Sequence, residues 1–335
     1  MTLMDTIANR IYGILAGGAF GDAFGMPTEC WSREQIKEKF PDGIHSFLPS
    51  QNNELMTREL EPGTVTDDTM NTIMILRSIV KNSGSLSTEE YIKELSYWLE
   101  NAEDAKAVSG PSTIRAIQLI QQGTPIEKSG ILSTTNGAAM KITPIGIIAD
   151  YKKMDDLIKQ VYDVSLPTHS TNVALTGAAI IAACISYVVA GGREIEALWT
   201  ISLETVDKCQ NIGYDFPSPS LSYRISQAKT IVRESSPEIA FERIVNELGS
   251  GVQTIETIPA VLAIVELANG NPIKAAKLSA EIGFDTDTIG ALSTSICGGM
   301  NNCFSEEDIR LIEECNNINF DLLVKEILPF CYLVK

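Results

Sequence analysis

The chain predicts an all-α protein, a single compact many-helix domain spanning residues 1–335, on three observations. Apolar residues recur at helical spacing along most of its length, and Ser, Thr, Asp or Pro stand before many of those stretches. Convincing β-alternation is absent beyond short stretches. No fixed-period repeat divides the chain.

The first predicted helix covers residues 7–24 and carries Gly13, Gly17, Gly21 and Gly25 on one slowly drifting stripe. Glycine costs helix stability, so such a stripe predicts a second backbone packed very close to it. Its spacing, with no strand before it, excludes a dinucleotide-binding glycine loop. Asp22 and Glu29 follow, and a carboxylate at a helix end is ordinarily solvated. Residues 31–40 read as a short charged helix, and 40–63 as a long loop of the kind that forms lids.

Thr66 starts a helix to about Lys81, and Ser87-Thr88-Glu89-Glu90 caps the next, with Tyr91, Leu95, Trp98 and Leu99 on one face. Ser109-Gly110-Pro111-Ser112 turns into a helix over 113–122, and its free N–H groups suit either an anion or a plain helix start. The small residues from Asn136 to Lys141 admit a ligand to the backbone or simply make a turn. A helix over 154–164 leads to Pro167-Thr168-His169-Ser170 and a long apolar helix over 174–190. A lone histidine there reads first as a hydrogen-bonded structural residue. Further helices are expected over 195–209, 221–233, 237–248, 258–269, 272–282, 288–301 and 306–315, with a terminal one after them.

With 26 basic and 43 acidic residues, the net charge of −17 argues against a nucleic-acid or anionic-membrane surface. An anionic ligand must therefore be met by metal ions, helix N-termini or backbone amides. Seven cysteines without a CxxC pair read as reduced thiols, and the apolar stretch over 174–190 reads as a core helix. A cytoplasmic protein with no membrane or nucleic-acid partner is expected. Because the chain has two histidines, His45 and His169, a histidine-rich zinc site is excluded and any metal must be held by oxygen.

Two clusters supply such oxygens: Thr66-Asp67-Asp68-Thr69 and Asp285-Thr286-Asp287-Thr288. Brought together, their four carboxylates and their hydroxyls suit one or two hard divalent cations. Taken singly, each reads first as an N-cap with acids at the positive end of a helix, and it is the two together that favour a metal.

Five segments in order resemble the ADP-ribosylglycohydrolase family over about Arg10 to Met300: GILAGGAFGDAFGMPTE at 13–29, TDDT at 66–69, NGAAMK at 136–141, PTHS at 167–170 and GFDTDTIGAL at 283–292. The resemblance implies an all-α fold of that type with two Mg²⁺ or Mn²⁺ ions at the bottom of a cleft. One ion would be held by Thr66, Asp67, Asp68 and Asp287, the other by Asp285, Asp287 and Thr288. Glu29 matches a glutamate that gates or assists the reaction in some members. Asn136, Gly137 and His169 match positions on the ADP-ribose side of the cleft, with Gly110 and Ser133 placed near the diphosphate. Two departures stand out. Phe284 replaces the second glycine of the family's usual Gly-Gly-Asp, where its ring would narrow the cleft or stack on the ligand, and Lys141 replaces the usual Arg.

These features lead to the expectation of a metal-dependent hydrolase that releases ADP-ribose from an ADP-ribosylated protein side chain or small molecule. Asp68 or Glu29 would serve as the acid/base group, and the protein would act as a monomer or weak homodimer. Hydrolysis of a smaller ribosylated metabolite or nucleoside is the first alternative. A non-catalytic ADP-ribose binder is the second, marked by loss of metal carboxylates that this chain retains.

Overall fold

The computed structural model describes residues 2–102 and 105–334. In chain order the helices are α1 (Leu3–Gly25), α2 (Arg33–Lys39), α3 (Asp67–Lys81), α4 (Thr88–Asn101), α5 (Ala105–Val108), α6 (Pro111–Gln121), α7 (Ile126–Ser129), α8 (Thr143–Ile148) and α9 (Met154–Ser165). They continue as α10 (Asn172–Val189), α11 (Ile195–Lys208), α12 (Leu221–Glu234), α13 (Pro237–Arg243), α14 (Thr254–Leu267), α15 (Pro272–Ile282), α16 (Thr286–Met300), α17 (Glu306–Asn316) and α18 (Phe320–Ile327). Among the described residues there is no strand, only isolated bridges of Thr135 to Gln253 and Thr171 to Tyr214. The all-α expectation holds.

The glycine stripe of α1 meets the backbone of α16. A Cβ on Gly13 would lie 2.2 Å from the Gly298 carbonyl oxygen, and one on Gly25 would lie 2.1 Å from that of Thr286. No real Cβ tolerates such distances, so the two backbones touch where other helix pairs are separated by side chains. Every residue of α16 is buried. Its start is tied to the end of α1 by the Thr286 hydroxyl, which donates to the Gly25 carbonyl at 2.8 Å. Thr28, in the turn after α1, donates to the Ala280 carbonyl of α15 at 2.7 Å.

Around this pair the sequence-based elements largely recur, with capping side chains at Thr66, Ser87, Thr171 and Ser305. Residues 41–66 contain no helix, as expected of a long loop. α10 is, among the described residues, the one helix long and apolar enough to cross a membrane, and 89% of that stretch is buried inside the protein.

Short helices α5, α7 and α8 go beyond those expected, and residues 244–248 are π-helical. Two differences from expectation have a clear physical reason. α14 begins at Thr254 rather than 258 and runs through Pro259, which has no N–H for the Ile255 carbonyl. The Arg224 guanidinium of α12 fills that vacancy, its Nε donating to the Ile255 carbonyl at 2.5 Å. A long-range arginine thus permits a proline that local rules place at a helix start. Secondly, α8 is short and buried at all six positions, so it shows no polar face from which a helical period could be read.

Candidate active site

Helix starts carry four of the five carboxylates that line the candidate site. Thr66 is the N-cap of α3, its hydroxyl accepting from the Asp68 N–H at 3.4 Å, and it places Asp67 and Asp68 in the first turn. Asp285 stands at the N-cap position of α16 yet makes no side-chain cap bond, and Asp287 lies in that helix's first turn. The cap reading therefore holds for the first cluster's threonine and not for Asp285. That carboxylate instead accepts from the Asn136 side-chain amide, which also donates to the Thr257 hydroxyl at 2.8 Å.

The two clusters meet. Asp67, Asp68, Asp285, Asp287 and Thr288 line one cavity of about 360 Å³, together with Glu29, Gly110, Asn136, Gly137 and His169. Carboxylate oxygens of Glu29, Asp285 and Asp287 lie within 4.8 Å of one another. Thr66, the buried cap of α3, does not itself line the cavity. Ser133 is buried close by, its carbonyl taken by the Thr171 hydroxyl at 2.7 Å, and does not line the cavity. Phe284 does not line it either. Its ring is 55% exposed, while its backbone, at φ +61°, is clipped to Trp31 and Cys30 by bonds of 2.8 and 2.7 Å.

Burying so many acids has an electrostatic cost. Asp22 and Asp67 are pushed up to about 7, first by burial and then by the charge of Asp287. Asp68, Asp285 and Glu29 are driven well above the usual carboxylate range by the same two causes in the same order. Among the described residues, the buried Asp68 Oδ2 and Asp287 Oδ1 have no hydrogen-bond partner. Orphaned carboxylate oxygens facing other carboxylates, with no histidine or thiolate among them, fit a hard divalent cation. The donor set passes that test.

Several residues that support the site were not singled out for it in the sequence. Asp22 is fully buried under α3, accepting from the Thr66 N–H at 3.0 Å, the Thr69 N–H at 3.1 Å and the Thr69 hydroxyl at 2.5 Å. A charge inside the otherwise apolar second half of α1 was the available signal, because such a charge must find partners. Arg58, delivered by the long loop, forms an ion pair with Glu29 at 2.6 Å and donates to the Met26 carbonyl at 2.9 Å. The Glu29 contact is a close charge pairing rather than an aligned hydrogen bond. Nothing local marked Arg58. Thr135 and Ser109 also line the cavity, and the buried Ser109 hydroxyl has no partner among the described residues.

Fold and site together define an all-helical enzyme with a carboxylate-floored cleft. The chain belongs to the ADP-ribosylglycohydrolase family, whose model matches residues 3–303. It is 34% identical over 294 residues to an uncharacterised protein, YegU, of Escherichia coli K12, covering 87% of each chain. It is 24% identical to the ADP-ribosylhydrolase ARH3 of Xenopus tropicalis, over 92% of this chain and 91% of that one. An ADP-ribosyl-[dinitrogen reductase] glycohydrolase of Rhodospirillum rubrum is 23% identical over 68% of this chain and 74% of its own length. Among solved structures, an ADP-ribosylglycohydrolase-related protein complex superposes with a TM-score of 0.71 at 19% identity, covering 98% of this chain and 99% of that one.

Proposed function

We infer that this protein is a metal-dependent hydrolase that cleaves the bond between ADP-ribose and a side chain or small acceptor. The observation that carries the reading is the convergence of Glu29, Asp67, Asp68, Asp285 and Asp287 on one cavity, with orphaned oxygens at Asp68 and Asp287. Relatives named for ADP-ribosyl hydrolysis support the substrate class.

Thr66, Asp67, Asp68, Asp285, Asp287 and Thr288 would hold two Mg²⁺ or Mn²⁺ ions. Bound there, the ions supply positive charge that orients ribose hydroxyls and polarises water. The remaining chemistry falls to the chain. The glycosidic bond breaks with its electrons leaving on the acceptor atom, which takes a proton, while water adds its oxygen to the anomeric carbon and loses a proton. Carboxylates stabilise the oxocarbenium-like charge between those events. Asp68 and Glu29 both line the cavity, and one of them serves as the acid/base group. Arg58 anchors Glu29 from behind. Asn136 is held by Asp285 and Thr257, so its amide presents a fixed edge to the ligand.

The N-terminus of α6, opened by Gly110, turns its positive end and the Ser112 N–H toward a diphosphate in a strongly acidic molecule, while the Gly110 N–H donates to Asp67 Oδ2 at 3.4 Å. A Cβ on Gly110 would meet nothing within 4 Å, so a ligand has room to approach that backbone. Phe284 does not line the cavity, so its ring does not narrow the cleft toward a ligand smaller than ADP-ribose. Mass-spectrometric product detection tests the proposal. The panel is ADP-ribosyl-arginine, an ADP-ribosyl-serine peptide, O-acetyl-ADP-ribose and nucleosides, each with Mg²⁺, Mn²⁺ or chelator. Chelator-sensitive release of ADP-ribose supports it; free ribose from nucleosides alone overturns the substrate assignment.

A further inference from the structure

Lys141 is wholly buried, and its Nζ donates to the Thr168 hydroxyl at 2.7 Å. That hydroxyl lies 2.9 Å from His169 Nδ1, and His169 Nε2 lies 2.9 Å from the Thr135 hydroxyl on the cavity wall. The ring has little freedom to move. A Cβ on Gly137 would lie 2.5 Å from His169 Cε1 and 2.7 Å from Nε2, so the imidazole rests directly on that glycine. The Tyr91 ring flanks the amine, with Lys141 Nζ 5.1 Å from its centroid.

We propose that Lys141 is a positioning residue which, acting through Thr168, holds His169 in one tautomer and so turns the Thr135 hydroxyl into a donor aimed at an unprotonated ligand oxygen, such as one of a phosphate. The argument is a proton count. An ammonium group has protons to give and no lone pair to accept with, so the Thr168 oxygen accepts from the charged Lys141 and has its own proton to give. His169 Nδ1 receives that proton in a hydrogen bond, which leaves the ring N–H on Nε2. Nε2–H then donates to Thr135, whose hydroxyl proton is left to face the cavity. Burial holds the His169 ring well below its usual range, first by desolvation and then by the nearby Lys141 amine, consistent with a neutral imidazole passing one hydrogen bond on. Discrimination follows: such a wall favours a group with lone pairs and no proton to offer, as a diphosphate has.

The ligand half of the proposal rests on reading this cavity as the ADP-ribose site; the relay does not. Imidazole nitrogen NMR on the full, ligand-free chain therefore comes first, helped by there being just two histidines, of which His45→Gln assigns the other. The expected result is a pyridine-like Nδ1 and a protonated Nε2 for His169 at neutral pH. Thr168→Val should move Nδ1 to the position of an unbonded ring nitrogen, and Thr168→Ser should restore it. Lys141→Met should average the two nitrogen signals as the tautomers mix. A proton on Nδ1 in the parent, or unchanged shifts in folded Lys141→Met, overturns the relay. If Lys141→Met does not fold, Thr168→Val carries the test, since the Lys141 Nζ and His169 Nδ1 signals must then move together; movement of one alone overturns it.

Calorimetric titration with ADP-ribose then reads the ligand half. Thr135→Val should weaken binding about tenfold, with adenosine binding unchanged. Binding to the parent without loss in Thr135→Val overturns the ligand half. No binding to the parent at all refutes the reading of the cavity and leaves the tautomer result standing.

Discussion

Gly21 and Gly290 touch backbone to backbone. A Cβ on Gly21 would lie 2.1 Å from the Gly290 carbonyl oxygen, and one on Gly290 would lie 2.3 Å from that of Gly21. This contact sets the register of α1 against α16, and with it the placement of Asp22 and Glu29 against Asp285 and Asp287. Gly21→Ala should therefore destabilise the fold by about 1–3 kcal/mol through overpacking that no side-chain rotation relieves. Urea unfolding reads that loss. Mn²⁺ binding should fall further than the stability change accounts for, because the acids move out of register.

Stability without metal should decrease as pH rises. Asp22 and Asp67 have folded values of about 7 against an ordinary 3.8. Below the ordinary value both states hold the protons and nothing is lost. Between about 3.8 and about 7 the unfolded chain has given up protons that the folded protein still holds, so stability drains away as pH rises across that window and levels off above it. Mg²⁺ or Mn²⁺ should reverse the trend by binding the ionised form. Calorimetric Tm between about pH 5 and 8, with chelator and with Mn²⁺, checks this. A chelated Tm that rises with pH counts against it.

Asp287→Asn separates metal binding from folding. Asp287 is the leading charge acting on Asp22, Glu29, Asp67, Asp68 and Asp285, ranking behind burial itself. Its neutral isostere should raise the Tm of the chelated protein while abolishing the Tm gain from Mn²⁺. Activity should fall more than about 100-fold.

Arg58→Met should leave Glu29 without its cation, at a cost of about 3–5 kcal/mol for breaking a buried pair. Adding Glu29→Gln should recover most of that stability but no activity. If the single and double variants unfold alike, the pair does not stabilise the protein.

Gly110→Ala tests the anion site cleanly. Its backbone, at φ −63°, accepts alanine, and its Cβ meets no protein atom. Tm should stay within about 0.5 kcal/mol equivalent of the parent. ADP-ribose affinity should drop about tenfold or more if the diphosphate lies against that stretch of backbone, where the added methyl would stand in its way.

Much of the site could be read before any coordinates. The four aspartates of the two clusters, Thr288, Glu29, Asn136, Gly137 and His169 all reach the cavity, Thr66 does not, and the stripe of α1 found the close-packed partner it demanded. Phe284 shows the limit of that reading. Its position beside Asp285 suggested a ring in the cleft, but a left-handed backbone at φ +61° accompanies an exposed ring that does not line the cavity. Pro259 shows another, since its tolerance depends on an arginine 35 residues away.

Helix type, caps, acid-rich helix starts and the need for a glycine-tight neighbour follow from residues three or four apart, whose interactions are settled within a turn. Those the chain specified unaided. That α16 is the neighbour, that Asp22 carries α3, that Arg58 answers Glu29 and that Lys141 reaches His169 through Thr168 depend on residues 27 to 285 positions apart. No local preference encodes such pairings. They form when the core closes, because close packing and the cost of a buried, unpaired charge leave those groups no other partners.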